Sequence, residues 1–169
     1  MRDNRFVAEH RGGPLTKEQH KLLIKWSIDC VRHILSLYGE NIDLRILYAL
    51  DVADKWEKGN ATVGDARNAA FGVIVLAREL TNPTQIAITR AAGHAVATAH
   101  MADHAPGGAE YALKAIIYEG KSFEEERKYQ DEILPDVIRE LVLSSRGMKA
   151  KSWNTSFTKA RKERGKLKK

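Results

Sequence analysis

The chain has one cysteine, Cys30, in 169 residues. It therefore has no internal disulfide, and no zinc site of the CxxC type is possible. Proline occurs four times and aromatic residues make up 7% of the sequence. Long apolar runs are missing too. The longest stretch without Asp, Glu, Lys or Arg is Ala91 to Ala102, well short of the ~20 residues that a membrane span needs. The first turns of sequence are charged and contain no apolar signal-like segment. The expectation is a cytoplasmic protein with no membrane partner. Nucleotide-binding and nucleophile motifs are also missing: there is no GxGxxG, P-loop, GxSxG or HExxH. Each would supply a phosphate cradle, an activated serine or a zinc site. No cofactor, metal or enzymatic activity is expected on this ground.

What is present is ordinary globular composition: 43% hydrophobic and 30% charged residues. The length fits a single domain with a substantial core. The net charge of +6 is unevenly placed. Lys149 to Lys169 holds nine basic residues and one acid, Glu163, whereas the remainder carries 19 basic and 21 acidic residues. The division read from this is an N-terminal arm over 1–15, a bundle over 16–147 and a basic tail over 148–169. Tail residues Lys159, Arg161, Lys162, Arg164, Lys166, Lys168 and Lys169 are candidates for contacts with nucleic-acid phosphates, because clustered cations attract polyanions without specificity.

Helical periodicity dominates the middle of the chain. Thr16 with Gln19, Thr62 with Asp65, and Ser122 with Glu125 fit capping boxes. Asp43 caps a second helix, and Asn82-Pro83 opens a fourth. Leu23, Trp26, Cys30, Ile34 and Leu37 recur on one helix face, as do Val63, Ala66, Ala70, Val73, Ala77 and Leu80. Ile46, Leu47, Leu50 and Ala53 are expected to face inward. From Pro83 to Met101 the only formal charge is Arg90. A helix apolar on nearly every side belongs at the centre. A break is expected over Asp103 to Gly108, and Gly147 is expected to end the regular pattern. The fold expected is all-α, an antiparallel bundle of six to seven helices around a central Ala-rich helix.

Two constellations could carry function. His94, His100, Asp103 and His104 lie close in sequence and are ligand types for zinc, iron or nickel. On one continuous helix His94 and His100 would point about 240° apart, so only a break in the helix could unite them. The competing reading makes His94 a core imidazole and places His100 and His104 at a helix end. The second set is Asp65, Arg67, Arg78 and Arg90. A buried Arg90 would require an acid, and Asp65, Asp51, Asp54 and Glu79 are candidates. The alternatives are a polar pocket between the third and fourth helices, containing His94, or a salt bridge that fixes helix register.

The segment Arg90-Ala91-Ala92-Gly93-His94-Ala95-Val96-Ala97-Thr98-Ala99-His100, with His104 and Tyr111-Ala112-Leu113-Lys114-Ala115, resembles the bacterial Imm-5-like immunity proteins. Asp65-Ala66-Arg67 and Ala77-Arg78 are similar to that family as well. The likeness spans roughly Asp43 to Leu143 and leaves out the arm and the basic tail. It implies a small helical protein that binds and neutralises a cognate toxin of a polymorphic toxin system, without catalysis. The basic tail departs from an immunity protein directed at a nuclease, where an acidic surface is the usual complement. On this reading Asp65, Arg67, Arg90, His94, His100, Asp103 and His104 are the candidate binding residues.

Overall fold

The computed structural model describes residues 3–167, and those residues form seven α-helices with short connections and no strand. The order is α1 (Lys17–Ile34), α2 (Leu44–Glu57), α3 (Val63–Glu79), α4 (Pro83–Ala97), α5 (Ala105–Glu119), α6 (Phe123–Glu132) and α7 (Asp136–Leu167). The expected all-α bundle is what forms.

Local chemistry starts the helices. Thr16 and Thr62 complete capping boxes with Gln19 and Asp65, each pair satisfying amides at both ends of the exchange. The Asn82 side chain accepts from the Gln85 amide, with Pro83 in the first turn. Caps of this kind stabilise a helix by about 1 kcal/mol.

α4 is central. It packs against α1, α2, α3 and α5, and Ala87, Ala91, Ala92 and Ala95 on it are buried. Small side chains let the surrounding helices approach closely. Around α4 lies the main core, built from Ile24, Ile28, Ile46, Leu50, Val73, Leu76 and Ile88 among others. A second cluster joins α1 to the N-terminal arm and the start of α7 through Phe6, Leu15, Leu23, Trp26, Ile138 and Val142. The arm is thus packed structure. Phe6 and Leu15 are each 1% exposed, and the Leu15 amide donates to the Val7 carbonyl across the turn.

Several expectations need correction. Leu47 and Val63 face solvent, so the inward stripes of α2 and α3 are narrower than the spacing implied. The break in the Ala-rich segment falls at Thr98–Met101. Pro106 and Gly107 sit in the first turn of α5, where a proline costs no hydrogen bond. Gly147 does not end the pattern: α7 runs through it without interruption. The second half of α7 docks on the body. Phe157 and Ala160 are buried with Leu113 and Ile117 of α5, and Trp153 stacks on Phe157. The basic segment is therefore half of a packed helix. Among the described residues no helix is long and apolar enough to cross a membrane.

α7 is also tied down by buried charge. Arg146 pairs with Glu110 at 2.9 Å and Asp131 at 2.6 Å, and its guanidinium lies over the Trp26 ring. Arg127 closes the set on Glu110 at 3.0 Å. Glu110 is 2% exposed, so losing its partners would strand a buried charge, a cost of about 3–5 kcal/mol.

Candidate functional site

A cleft of 450 Å³ opens between α3 and α4, and α5 closes one end. Its floor is Ala70, Val73, Ala77, Gly93 and Ala97. These residues are small, and their smallness creates the volume. A Cβ placed on Gly93 would already touch Val73 at 3.4 Å. Ile74, Arg78, Thr89, Arg90, the three histidines and Tyr111 complete the lining.

His94, His100 and His104 all reach this cleft, although a continuous helix would have separated them. The turn after Ala97 redirects the chain, and a short 3-10 segment over Ala102–His104 brings His104 back to His94. Their Nδ1 atoms are 3.2 Å apart. One ring must donate and the other accept, so at least one imidazole of the pair is neutral. The His94 ring also lies 5.1 Å from the Tyr111 ring, and the His100 ring lies 5.5 Å from that of His104.

Burial sets the protonation of these rings. It pushes His94 down to about 4, reinforced by His104, Lys149 and Arg90 and opposed by Asp103. His100 is lowered mainly by burial, with His104 and Arg67 adding to the effect. His94 is therefore a neutral ring at pH 7. Its position is fixed from α5 as well: a Cβ on Gly107 would meet His94 Nδ1 at 2.6 Å. Glycine is required there for a close approach of backbone to ring.

The second constellation divides. Asp65 is exposed and spends its carboxylate on the Thr62 amide and hydroxyl, 2.8 Å each. It does not reach Arg90. The other expected partners are engaged too: Asp51 with Lys55, Asp54 with Arg32, and Glu79 with Arg45. Arg90 is exposed rather than buried, and its guanidinium carbon sits 5.9 Å from the Tyr111 ring centroid. An almost uncharged helix reads as buried all round, but Arg90 stands on an exposed part of this one. α4 has one face in the cleft mouth between α3 and α5. Arg67 is exposed on α3 and acts on His100 through space. Arg78, Thr89 and Tyr111 line the cleft although the candidate binding set omitted them. The spacing of Arg67, Ile74 and Arg78 on one face of α3 was the available signal.

No group of three or more His, Cys, Asp and Glu side chains among the described residues could hold a metal ion. Three imidazoles share the cleft, but His94 and His104 spend ring nitrogens on each other.

The tail residues are distributed differently. Arg164 lies against Gly120, whose positive φ of 73° ends α5. Arg161 sits 5.3 Å from the Phe123 ring centroid, and Lys159 pairs with Glu163 at 3.8 Å. Lys162 and Lys166 are exposed, while Lys168 and Lys169 lie outside the described residues.

Comparison with known proteins gives one family. The family described as Imm-5 like putative immunity protein matches residues 13–137, well over half of the chain. No curated protein and no solved structure matches it. The matched span begins in the turn before α1 and ends at the start of α7. It includes every residue that lines the cleft. With the helical bundle and the His94–Tyr111 segment in place, this chain belongs to the Imm-5 like family of immunity proteins.

Proposed function

We propose that the protein neutralises a cognate toxin by binding it, without catalysis, and that the α3 ridge beside the cleft carries the contact. The observation that carries the reading is the family match across residues 13–137. The place is suggested by exposure. Phe71 is 66% exposed and Ile74 48% on the same helix, where Arg67 and Arg78 are also exposed. Large apolar side chains held in water beside cations are an arrangement common at protein interfaces. Leu44 and Tyr48 on α2 are exposed as well.

The test is protection in cells. Candidate toxins from the genome that encodes this chain are each expressed with the wild-type chain or with Phe71→Glu/Ile74→Glu. Wild type is expected to restore growth. The double variant should fold with unchanged melting temperature, lose protection and fail to co-purify with the toxin. Protection undiminished by the pair would place the contact elsewhere. No protection by wild type against any of these toxins would overturn the reading.

A second reading has one specific support. Lys151, Lys159, Lys162 and Lys166 are exposed along α7, at spacings of 8, 3 and 4 residues that keep them near one helix face. That stripe could follow a phosphate backbone. Binding to duplex DNA that weakens steeply with salt, and is lost in a fourfold Lys→Gln variant, would favour it over toxin binding.

A further inference from the structure

We propose that the α3–α4 cleft binds a small organic anion, with a carboxylate or phosphate at its mouth and an apolar body on its floor. Neither the family description nor the toxin-binding reading assigns a ligand to this cleft.

Volume comes first. At 450 Å³ the cleft falls in the range that holds small molecules rather than single waters. It exists because Ala70, Ala77, Gly93 and Ala97 stand where larger residues would have filled the space between two helices. A flat docking face would need no such notch.

Charge comes second. The lining holds Arg78 and Arg90 but no Asp or Glu. Both arginines are exposed at the mouth. Every carboxylate considered as a partner for Arg90 is bound elsewhere, as shown above. Arg67 and Lys149 add positive potential at the His100 and His94 sides. Asp103 is the acid that acts on the histidines, and it stands outside the lining. Guanidinium groups are suited to bidentate capture of carboxylate and phosphate.

Shape and donors come third. His100 Nδ1 is buried with no hydrogen-bond partner in a ring that lines the cleft. That atom is sealed from solvent, so a ligand in the cleft meets other atoms of the His100 ring. Tyr111 presents its ring beside Arg90 and is held edge-on by Trp153 at 5.2 Å. Apolar floor, aromatic wall and cationic rim together describe a ligand with an anionic end and a flat apolar body.

The test uses the full chain and three probes: benzoate, its neutral analogue benzamide, and inorganic phosphate. Ring resonances of His94, His100, His104 and Tyr111 are followed by NMR during titration. Benzoate is expected to shift them with saturation, while benzamide and phosphate each bind at least about tenfold more weakly. Arg78→Gln/Arg90→Gln should weaken benzoate by about tenfold or more, whereas Lys162→Gln on the far half of α7 should not. Both arginines are exposed, so the double variant is expected to keep the wild-type melting temperature. No saturating shift with benzoate overturns the proposal. Equal shifts with benzamide overturn the anionic requirement, and phosphate binding as tightly as benzoate overturns the apolar body. Because no toxin is present, these outcomes are independent of the immunity reading.

Discussion

At the scale of single residues, the contact between Gly107 and His94 is the tightest constraint on the site. A methyl group at Gly107 would stand 2.6 Å from His94 Nδ1, and neither the first turn of α5 nor a ring held between His104 and Tyr111 can move freely. Gly107→Ala is therefore expected to destabilise the fold by about 1–3 kcal/mol. His94→Ala removes packing and a hydrogen bond and should cost a similar amount. The double variant should cost less than the sum, because the added methyl group then enters the space left by the ring. Urea denaturation of the four proteins checks this, and additivity would show that the two residues do not touch. The histidine pair shows what a sequence conceals at this scale. Capping by Thr16, Thr62, Asn82 and Ser122 is legible because donor and acceptor lie three residues apart. The approach of His104 to His94 depends on a tertiary turn after Ala97, which no local spacing announces. Arg90 misleads for a related reason: one charge on an apolar helix reads as buried until the neighbours are known to leave a gap there.

At the scale of helices, α7 departs most from what its residues suggest. Lys, Arg and Ser make up seven of the 16 residues of its second half, and Gly147 lies near the middle of the helix. A mid-helix glycine costs about 1 kcal/mol relative to alanine, which tertiary packing readily exceeds. Trp153, Phe157 and Ala160 supply that packing against α5 and Phe123, and Tyr118 donates to Glu163. A chain truncated after Gly147 would leave Leu113 and Ile117 uncovered. Its melting temperature should fall markedly, since losing a buried Phe alone costs about 3–5 kcal/mol, and it should bind a hydrophobic dye. Unchanged, cooperative melting would show that the second half of α7 contributes little. The starts of α1, α3, α4 and α6 were legible because a capping side chain precedes each, whereas α5 begins without one, inside the segment expected to break the pattern. In α7 composition and packing disagree, and packing prevails.

At the scale of the whole molecule, pH should act through buried imidazoles. His94 titrates at about 4 when folded because burial resists its charge, against about 6.5 in an unfolded chain. His20 is lowered for the same reason, although its bond to the Thr98 carbonyl opposes the shift. Between pH 6.5 and 4 the unfolded chain takes up protons that the native state refuses, so stability falls as pH falls. His94 alone accounts for about 2 kcal/mol at pH 5. Glu126, raised by burial beside His33, works in the opposite direction over part of this range. Urea midpoints at pH 7 and pH 5 should differ for wild type and differ less for His94→Gln. Equal differences would remove His94 from the account.

The joining of the N-terminal arm to the first half of α7 has a consequence for synthesis. Arg5 donates to the Ser144 hydroxyl at 2.7 Å, and Phe6 shares its cluster with Ile138 and Val142. A ribosome adding about 5–20 residues per second releases the first of these partners several seconds or more before the last. During that interval Phe6, Leu23 and Trp26 have only part of their cover. The nascent chain thus carries an open apolar seam until its final helix emerges, and its exposure to chaperones and proteases is set by the pace of translation as well as by the stability of the finished bundle.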